Sequence, residues 1–495
     1  MRDCGILLHP TSLPGGCGVG ELGVWAYKFA DFLAESGVSL WQLLPLGPPG
    51  YGNSPYQALS SMAGNPILIS LQKLVDEGLI TPQDLQPAAA FPIAYVDFEA
   101  VMPFKIGLLK KAAHAFFSRS PEHQRQEFDR FCAAKRSWLD PFAEFMALKE
   151  MNSGATWTDW QRKTNPEPEK LLEQKFIQFH FVRQWSALKT YCNQRGIRIV
   201  GDVPFFVSHD SADVWANPEL FDLDKTGRPC SVAGVPPDYF SATGQLWGNP
   251  LYCWDAMAET GYRWWIERIR GTLELVDVLR LDHFRGFEKY YAIPADAQTA
   301  VNGRWLEGPG DRLFAALQAE LGKLPFIAED LGYITPEVHA LRDRWGFPGM
   351  RVLQFAFTNE NPTDYFKPYN YIPKCVVYTG THDNDTTAGW FRNIENSTQS
   401  PEQSRAEREF ARRYVRTDGT EIHWDFIALA ISSVAETAIF PMQDVLGLGS
   451  DARMNTPASA EKNWRWRLQE PQLQPGLSKR LRELNRTYGR LNDRT

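Results

Sequence analysis

Eight short apolar runs punctuate this chain, and most are separated by segments patterned as helices. The runs fall at residues 5–8, 39–44, 198–203, 276–281, 325–328, 351–357, 375–379 and 437–441. Runs this short, bounded by polar or Gly/Pro clusters, read as buried strands. Helical patterns lie between them, for example at 21–36, 311–321 and 336–344. Strands alternating with helices build a parallel sheet covered on both faces, and eight of them close on themselves. The predicted fold class is therefore α/β, a (β/α)8 barrel formed by a single catalytic unit spanning 1–495.

The spacing of the runs is uneven. Roughly 150 residues separate the second from the third. Most of that interval, about 66–189, is rich in helix formers and in Phe and Trp, and predicts a mostly helical insertion. A second insertion, about 205–272, is rich in Pro, Gly, Asp and Trp and reads as a loop-rich lid. Barrel enzymes carry their sites on the loops after the strands, so insertions there wall a cleft. A polar closing helix is expected over 479–491.

Three of the runs end in carboxylates. The fourth empties into Arg280, Asp282, His283 and Arg285, the fifth into Glu329 and Asp330, and the seventh into His382 and Asp383. Arg280 lies two residues before Asp282, so both point to one face of a strand, and its charge favours an ionised Asp282. An ionised, well-held carboxylate suits a glycosidase nucleophile. Glu329 follows an apolar strand, where a carboxyl can keep its proton and act as an acid. It alternates faces with Asp330, so only one of the two points inward. Each group alone has a structural alternative, an Arg–Asp pair closing the barrel or a capping carboxylate. Three together favour glycosidic chemistry.

The segment Thr381, His382, Asp383, Asn384, Asp385, Thr386 resembles a calcium loop only in part. The Gly expected after alternating ligands and the Glu at loop position twelve are both missing. The sugar reading has His382 and Asp383 gripping hydroxyls at the cleaved bond. Asp202 ends the third run and either orients Asp282 or an Arg rather than reacting, or is purely structural.

Composition narrows the partners. A formal net charge of −7 argues against nucleic acid and anionic membrane surfaces. The 17 Trp in a chain that is 13% aromatic suit a protein that stacks rings against the flat apolar faces of sugars. Seven dispersed Cys with no C-x-x-C spacing read as reduced thiols in a cytoplasmic protein without a zinc site. No apolar run is long enough for a membrane span or a signal peptide.

Taken together, these motifs resemble the 4-α-glucanotransferases, also called amylomaltases or disproportionating enzymes. This is glycoside hydrolase family 77, in the α-amylase clan of retaining enzymes. The resemblance covers essentially the whole chain. Gly5 to Pro14 looks like the family opening. Tyr51, Gly52, Ser54, Pro55, Tyr56 and Gln57, then Gly64, Asn65 and Pro66, are similar to its first glucan-binding loop. Pro236, Pro237, Asp238, Tyr239, Phe240, Gln245, Trp247 and Gly248 look like the mobile loop lining the cleft. Asn455, Thr456 and Pro457, with Asn463, Trp464 and Arg465, match the last motif, where Ala458 departs from the Gly of many members.

The resemblance implies roles. Asp282 matches the nucleophile, Glu329 the acid/base, and Asp383 the carboxylate that holds the sugar ring distorted. Arg280 and His382 match residues that contact the nucleophile and the sugar. Tyr56, Asp202, Trp247, Asn455 and Pro457 match cleft residues. The implied substrates are α-1,4-glucans and maltooligosaccharides, with glucose as an acceptor and no cofactor or metal. Too few residues follow the last motif for the C-terminal β-sandwich of the amylases. A hydrolase of the same clan shares the three carboxylates, and a silent glucan-binding barrel would have no need of an acid beside a nucleophile.

Overall fold

The computed structural model describes residues 2–237, 243–393, 400–457, 459 and 462–491. Among these, twelve strands form, in chain order β1 (Asp3–Leu7), β2 (Leu40–Gln42), β3 (Arg198–Val203), β4 (Ser231–Val235), β5 (Gln245–Pro250), β6 (Val278–Leu281), β7 (Lys289–Pro294), β8 (Arg304–Glu307), β9 (Phe326–Ala328), β10 (Gly349–Val352), β11 (Cys375–Tyr378) and β12 (Thr437–Pro441). Eight close into a parallel barrel in the order β1-β12-β11-β10-β9-β6-β3-β2. This is the (β/α)8 architecture expected from the eight apolar runs.

Parity along each strand sorts the apolar residues into two layers. Leu7, Leu40, Val200, Ile327, Met350, Val352, Val376, Tyr378 and Ile439 pack together and fill the barrel. Their chain neighbours Ile6, Trp41, Ile199, Leu279, Leu281, Phe326, Ala328 and Phe440 pack outward, in the larger apolar layer around the barrel. Gly5 shares the inward parity of Leu7. A Cβ there would stand 2.9 Å from Ile439 Cγ1 and 3.0 Å from Leu40 Cβ, so the crowded interior leaves no room for a side chain. Inside the barrel the Tyr378 hydroxyl donates to Gln42 Oε1 at 2.9 Å.

The sixth apolar run differs from its expected form. Only Gly349–Val352 is strand, and Leu353–Phe357 turns into a 3-10 helix. Its Leu353, Ala356 and Phe357 pack against the helix Ile422–Ser432 through Phe426 and Ala430, an outer contact that local periodicity does not reveal. The closing helix is Pro475–Thr487 and starts with Pro in its first turn.

Between β2 and β3 the chain forms the helices Leu71–Asp76, Phe98–Arg119, Glu122–Ala134, Arg136–Met151 and Pro168–Gln194. Phe116, Phe128, Phe176 and Phe179 pack at their centre. The interval 205–272 is less loop-like than its composition implies. It holds the hairpin β4–β5 and the helices Trp254–Glu259 and Arg263–Leu275. β4 also pairs with β7, and β7 with β8, giving an antiparallel sheet in the order β5-β4-β7-β8. Half of this sheet comes from before β6 and half from after it. Its pairing is therefore non-local, and that hid it from a reading based on composition.

Candidate active site

The inward parity that fills the barrel continues past the strand ends and selects the site. In β3 it passes from Val200 to Asp202. In β6 it runs from Val278 through Arg280 to Asp282, and in β9 from Ile327 to Glu329. Register places Asp202 opposite Arg280 and Arg280 opposite Ile327. Asp202, Arg280, Asp282 and Glu329 thus meet at the C-terminal mouth, where barrel sites form.

Arg280 sits at the centre of this group. Its Nη1 donates to Asp202 Oδ2 at 2.6 Å and lies 2.9 Å from Asp282 Oδ1. Burial opposes its charge, but Asp202 and Asp282 hold it firmly protonated. The same Asp202 oxygen accepts the Tyr56 hydroxyl at 2.8 Å. Burial pushes Asp202 up to about 7, against the pull of Arg280 and with a push from the negative Asp282. The Asp202 side chain is fully buried, whereas that of Asp282 is 26% exposed. Asp202 therefore braces Arg280 from within, and Asp282 faces the cleft.

Among the described residues, backbone N–H groups hold Glu329. Its Oε2 accepts the His283 N–H at 2.7 Å, and its Oε1 accepts the Leu331 N–H at 2.8 Å. His283 adopts a left-handed backbone, φ 50° and ψ 51°, which turns its N–H toward Glu329 immediately after Asp282. Burial pushes Glu329 up to about 8. Asp282 adds to the rise, and Arg280 and the two N–H donors oppose it. Asp330 has the opposite parity and is fully buried behind the barrel. It pairs with Arg342, stands 3.8 Å from Arg351 and accepts the Met350 N–H at 2.7 Å. Of these neighbouring carboxylates, only Glu329 faces the mouth.

The third carboxylate stands on the loop after β11. Asp383 Oδ1 accepts from Asn455 Nδ2 at 2.6 Å, and its Oδ2 lies 3.4 Å from His382 Nε2. Arg453 clamps the backbone by donating to the carbonyls of Asp383 at 2.5 Å and Asn455 at 2.7 Å. The other polar residues of this loop serve the loop itself. Asn384 Oδ1 accepts from the Thr381 N–H and hydroxyl, and Asp385 accepts from the Thr386 N–H and the Ser450 hydroxyl. The His382 ring stacks on Tyr56 at 5.1 Å, with Trp464 5.9 Å away, and burial lowers its pKa.

Trp247 closes the other flank. Its ring meets His283 edge-on at 4.9 Å, and its Nε1 donates to Gln245 Oε1. It stands on strand β5, so the cleft-lining segment is anchored by a hairpin at 231–235 and 245–250. Asp238, Tyr239 and Phe240, and the departure at Ala458, lie outside the described residues. Pro457 lies exposed in the turn two residues past Asn455. His283 was legible at the end of the fourth run but without a role, and Arg453 is a site residue that local pattern missed. A left-handed backbone leaves no mark in composition, and Arg453 reaches Asp383 across 70 positions of chain.

A parallel barrel with an arginine-braced aspartate, a glutamate that favours its proton and a second aspartate at one mouth defines a class: the barrel enzymes that act on glycosidic bonds. Comparison with known proteins narrows it. The family profile described as 4-alpha-glucanotransferase matches residues 8–474. The 4-alpha-glucanotransferase of Synechocystis sp. is 50% identical over 507 residues, covering 99% of this chain and 98% of that one. The Thermus thermophilus 4-alpha-glucanotransferase is 48% identical and covers 99% of both chains. The solved amylomaltase of Streptococcus agalactiae, in complex with acarbose, superposes with a TM-score of 0.93 at 38% identity, covering 99% of this chain and all of that one. The chain belongs to the 4-alpha-glucanotransferase family and is an enzyme of that type.

Proposed function

We propose that this enzyme transfers a segment of an α-1,4-glucan to the 4-hydroxyl of glucose or of another α-1,4-glucan, by double displacement with retained configuration. Glu329 protonates the leaving glycosidic oxygen while Asp282 attacks the anomeric carbon and forms a covalent glucosyl-enzyme. Glu329, now a carboxylate, takes the proton from the incoming 4-hydroxyl as that oxygen displaces Asp282. Asp383 and His382 grip the hydroxyls of the distorted ring, and Arg280 keeps Asp282 aimed. Tyr56, Trp247, Asn455 and Pro457 complete the cleft, and Asp202 braces Arg280 behind it.

The observation that carries this reading is the clasp between the two reacting carboxyls. The N–H that follows Asp282 holds Glu329 at 2.7 Å, and burial keeps the Glu329 proton on to about 8. Acid and nucleophile are thus positioned by one piece of backbone, and burial favours the proton on the acid. A retaining pair stands about 5 to 5.5 Å apart. The acarbose bound by the streptococcal relative also supports an α-glucan as the ligand here.

Transfer must outrun hydrolysis in water. Trp247 and the β4–β5 hairpin crowd the flank beside His283 and favour a sugar hydroxyl over water at the covalent intermediate. The test is incubation with maltotriose, resolving products by chain length and assaying total reducing ends. A ladder of longer oligosaccharides plus glucose at constant reducing ends is expected. Rising reducing ends with only shorter products would make the chain a hydrolase.

A further inference from the structure

One aromatic surface on the same rim has no part in the chemistry above. Tyr333, four residues past Glu329, is 66% exposed. Its ring lies 6.3 Å from that of Trp305 on β8, with the planes 26° apart. Behind them sits Arg285, three residues past Asp282 and 5% exposed. Its guanidinium is 3.9 Å from the Trp305 ring centre and 5.2 Å from that of Tyr333. Its Nη1 also donates to the Tyr333 carbonyl at 2.8 Å. Trp305 is backed in turn by Tyr291, edge-on at 5.1 Å.

An exposed loop tyrosine ordinarily keeps its rotamer freedom, and binding must then freeze it. Here the ring is held from behind by an aromatic and a cation, and one face is left to solvent. Its neighbourhood carries both signs of charge in balance, with Arg285 and Lys289 set against three glutamates. Glu288 and Glu337 lie close enough to act on Arg285, and Glu307 stands 3.1 Å from Lys289 on the same sheet. A rigid exposed ring in charge-balanced surroundings fits a neutral ligand with flat C–H faces.

Its place is set by the chain. The backbone folds back on Glu329 at Leu331. Four residues span at most about 14 Å, so the ring lies within a few sugar units of the acid. The acid protonates the leaving oxygen, so a glucan running out past Glu329 belongs to the leaving and accepting side. We propose that Tyr333, set by Trp305 and Arg285, stacks on a glucose ring of the acceptor chain remote from the cleaved bond, and so selects longer acceptors. This rests on the transferase reading above.

The test uses Asp282→Asn as a background that holds sugar without turnover, with maltotriose and maltoheptaose titrated by calorimetry. The background should prefer maltoheptaose. Adding Tyr333→Ala should cut the ratio of the two affinities about fivefold, the size of one ring contact. Adding Tyr333→Phe should preserve the ratio, because the ring and not the hydroxyl carries the contact. A background without preference for the longer sugar, a ratio unmoved by Tyr333→Ala, or a Phe variant that behaves like Ala would each overturn the platform. A background that binds neither sugar would overturn the transferase reading and the platform with it.

Discussion

Replacing Glu329 with glutamine should reverse its effect on stability between acid and alkaline pH. Burial, aided by the charge of Asp282, raises Glu329 from 4.5 to about 8 in the folded protein. Over that interval the folded state keeps a proton that the unfolded chain has released. Its stabilising contribution is full below 4.5 and is lost as the pH rises through about 8. At about 1.4 kcal/mol per pH unit the ceiling is about 5 kcal/mol, and solvent in the open cleft lowers the expected value to about 2 kcal/mol. Glutamine has no such pH dependence. It does turn an NH2 toward one of the two N–H donors, from His283 or Leu331, at a cost of about 1 to 2 kcal/mol at every pH. The variant should therefore be the less stable protein at pH 5 and equal to or better than wild type at pH 9, a swing of about 2 kcal/mol. Urea denaturation at both pH values, at one ionic strength and followed by tryptophan fluorescence, measures it. Equal offsets at pH 5 and 9 would mean that the cleft does not raise Glu329, and its role as acid would lose its physical basis.

Other perturbations separate chemistry from scaffold. With Glu329 as the acid, wild-type transfer should fall about tenfold per pH unit above about 8, and a flat profile to pH 10 would point to another acid. Asp282→Asn should stop turnover yet leave maltoheptaose binding measurable by calorimetry; turnover in that variant would remove Asp282 as nucleophile. Trp247→Ala should raise hydrolysis relative to transfer severalfold by opening the flank beside His283, and an unchanged ratio would remove that side chain from water exclusion. Asp330→Ala should lower stability by about 3 to 5 kcal/mol by stranding Arg342 without its buried partner, read by thermal or urea denaturation. A loss below about 1 kcal/mol would show that the pair contributes little.

The barrel was legible because short apolar runs ending in polar residues are what a strand buried on both faces looks like in one dimension. Two-residue parity was legible too. It separates Glu329 from Asp330 and joins Arg280 to Asp282 before any coordinate is known. The hairpin carrying Trp247 was not, because β4 finds its second partner in β7, on the far side of β6. Nor was the extent of the sixth strand, which Leu353 and Phe357 leave in order to pack on an outer helix.

Chain order and residue chemistry by themselves determined the alternating architecture, the three carboxylates and their family, since periodicity and motif spacing are local properties of a chain. Tertiary structure alone decided which backbone N–H groups clasp Glu329, that Arg453 and Asn455 steady Asp383, and that Tyr333 gains a rigid backing from Trp305. Apart from the Leu331 N–H, these contacts join residues far apart in sequence. Their distances, and the burial that lifts Glu329, come into being only when the barrel closes.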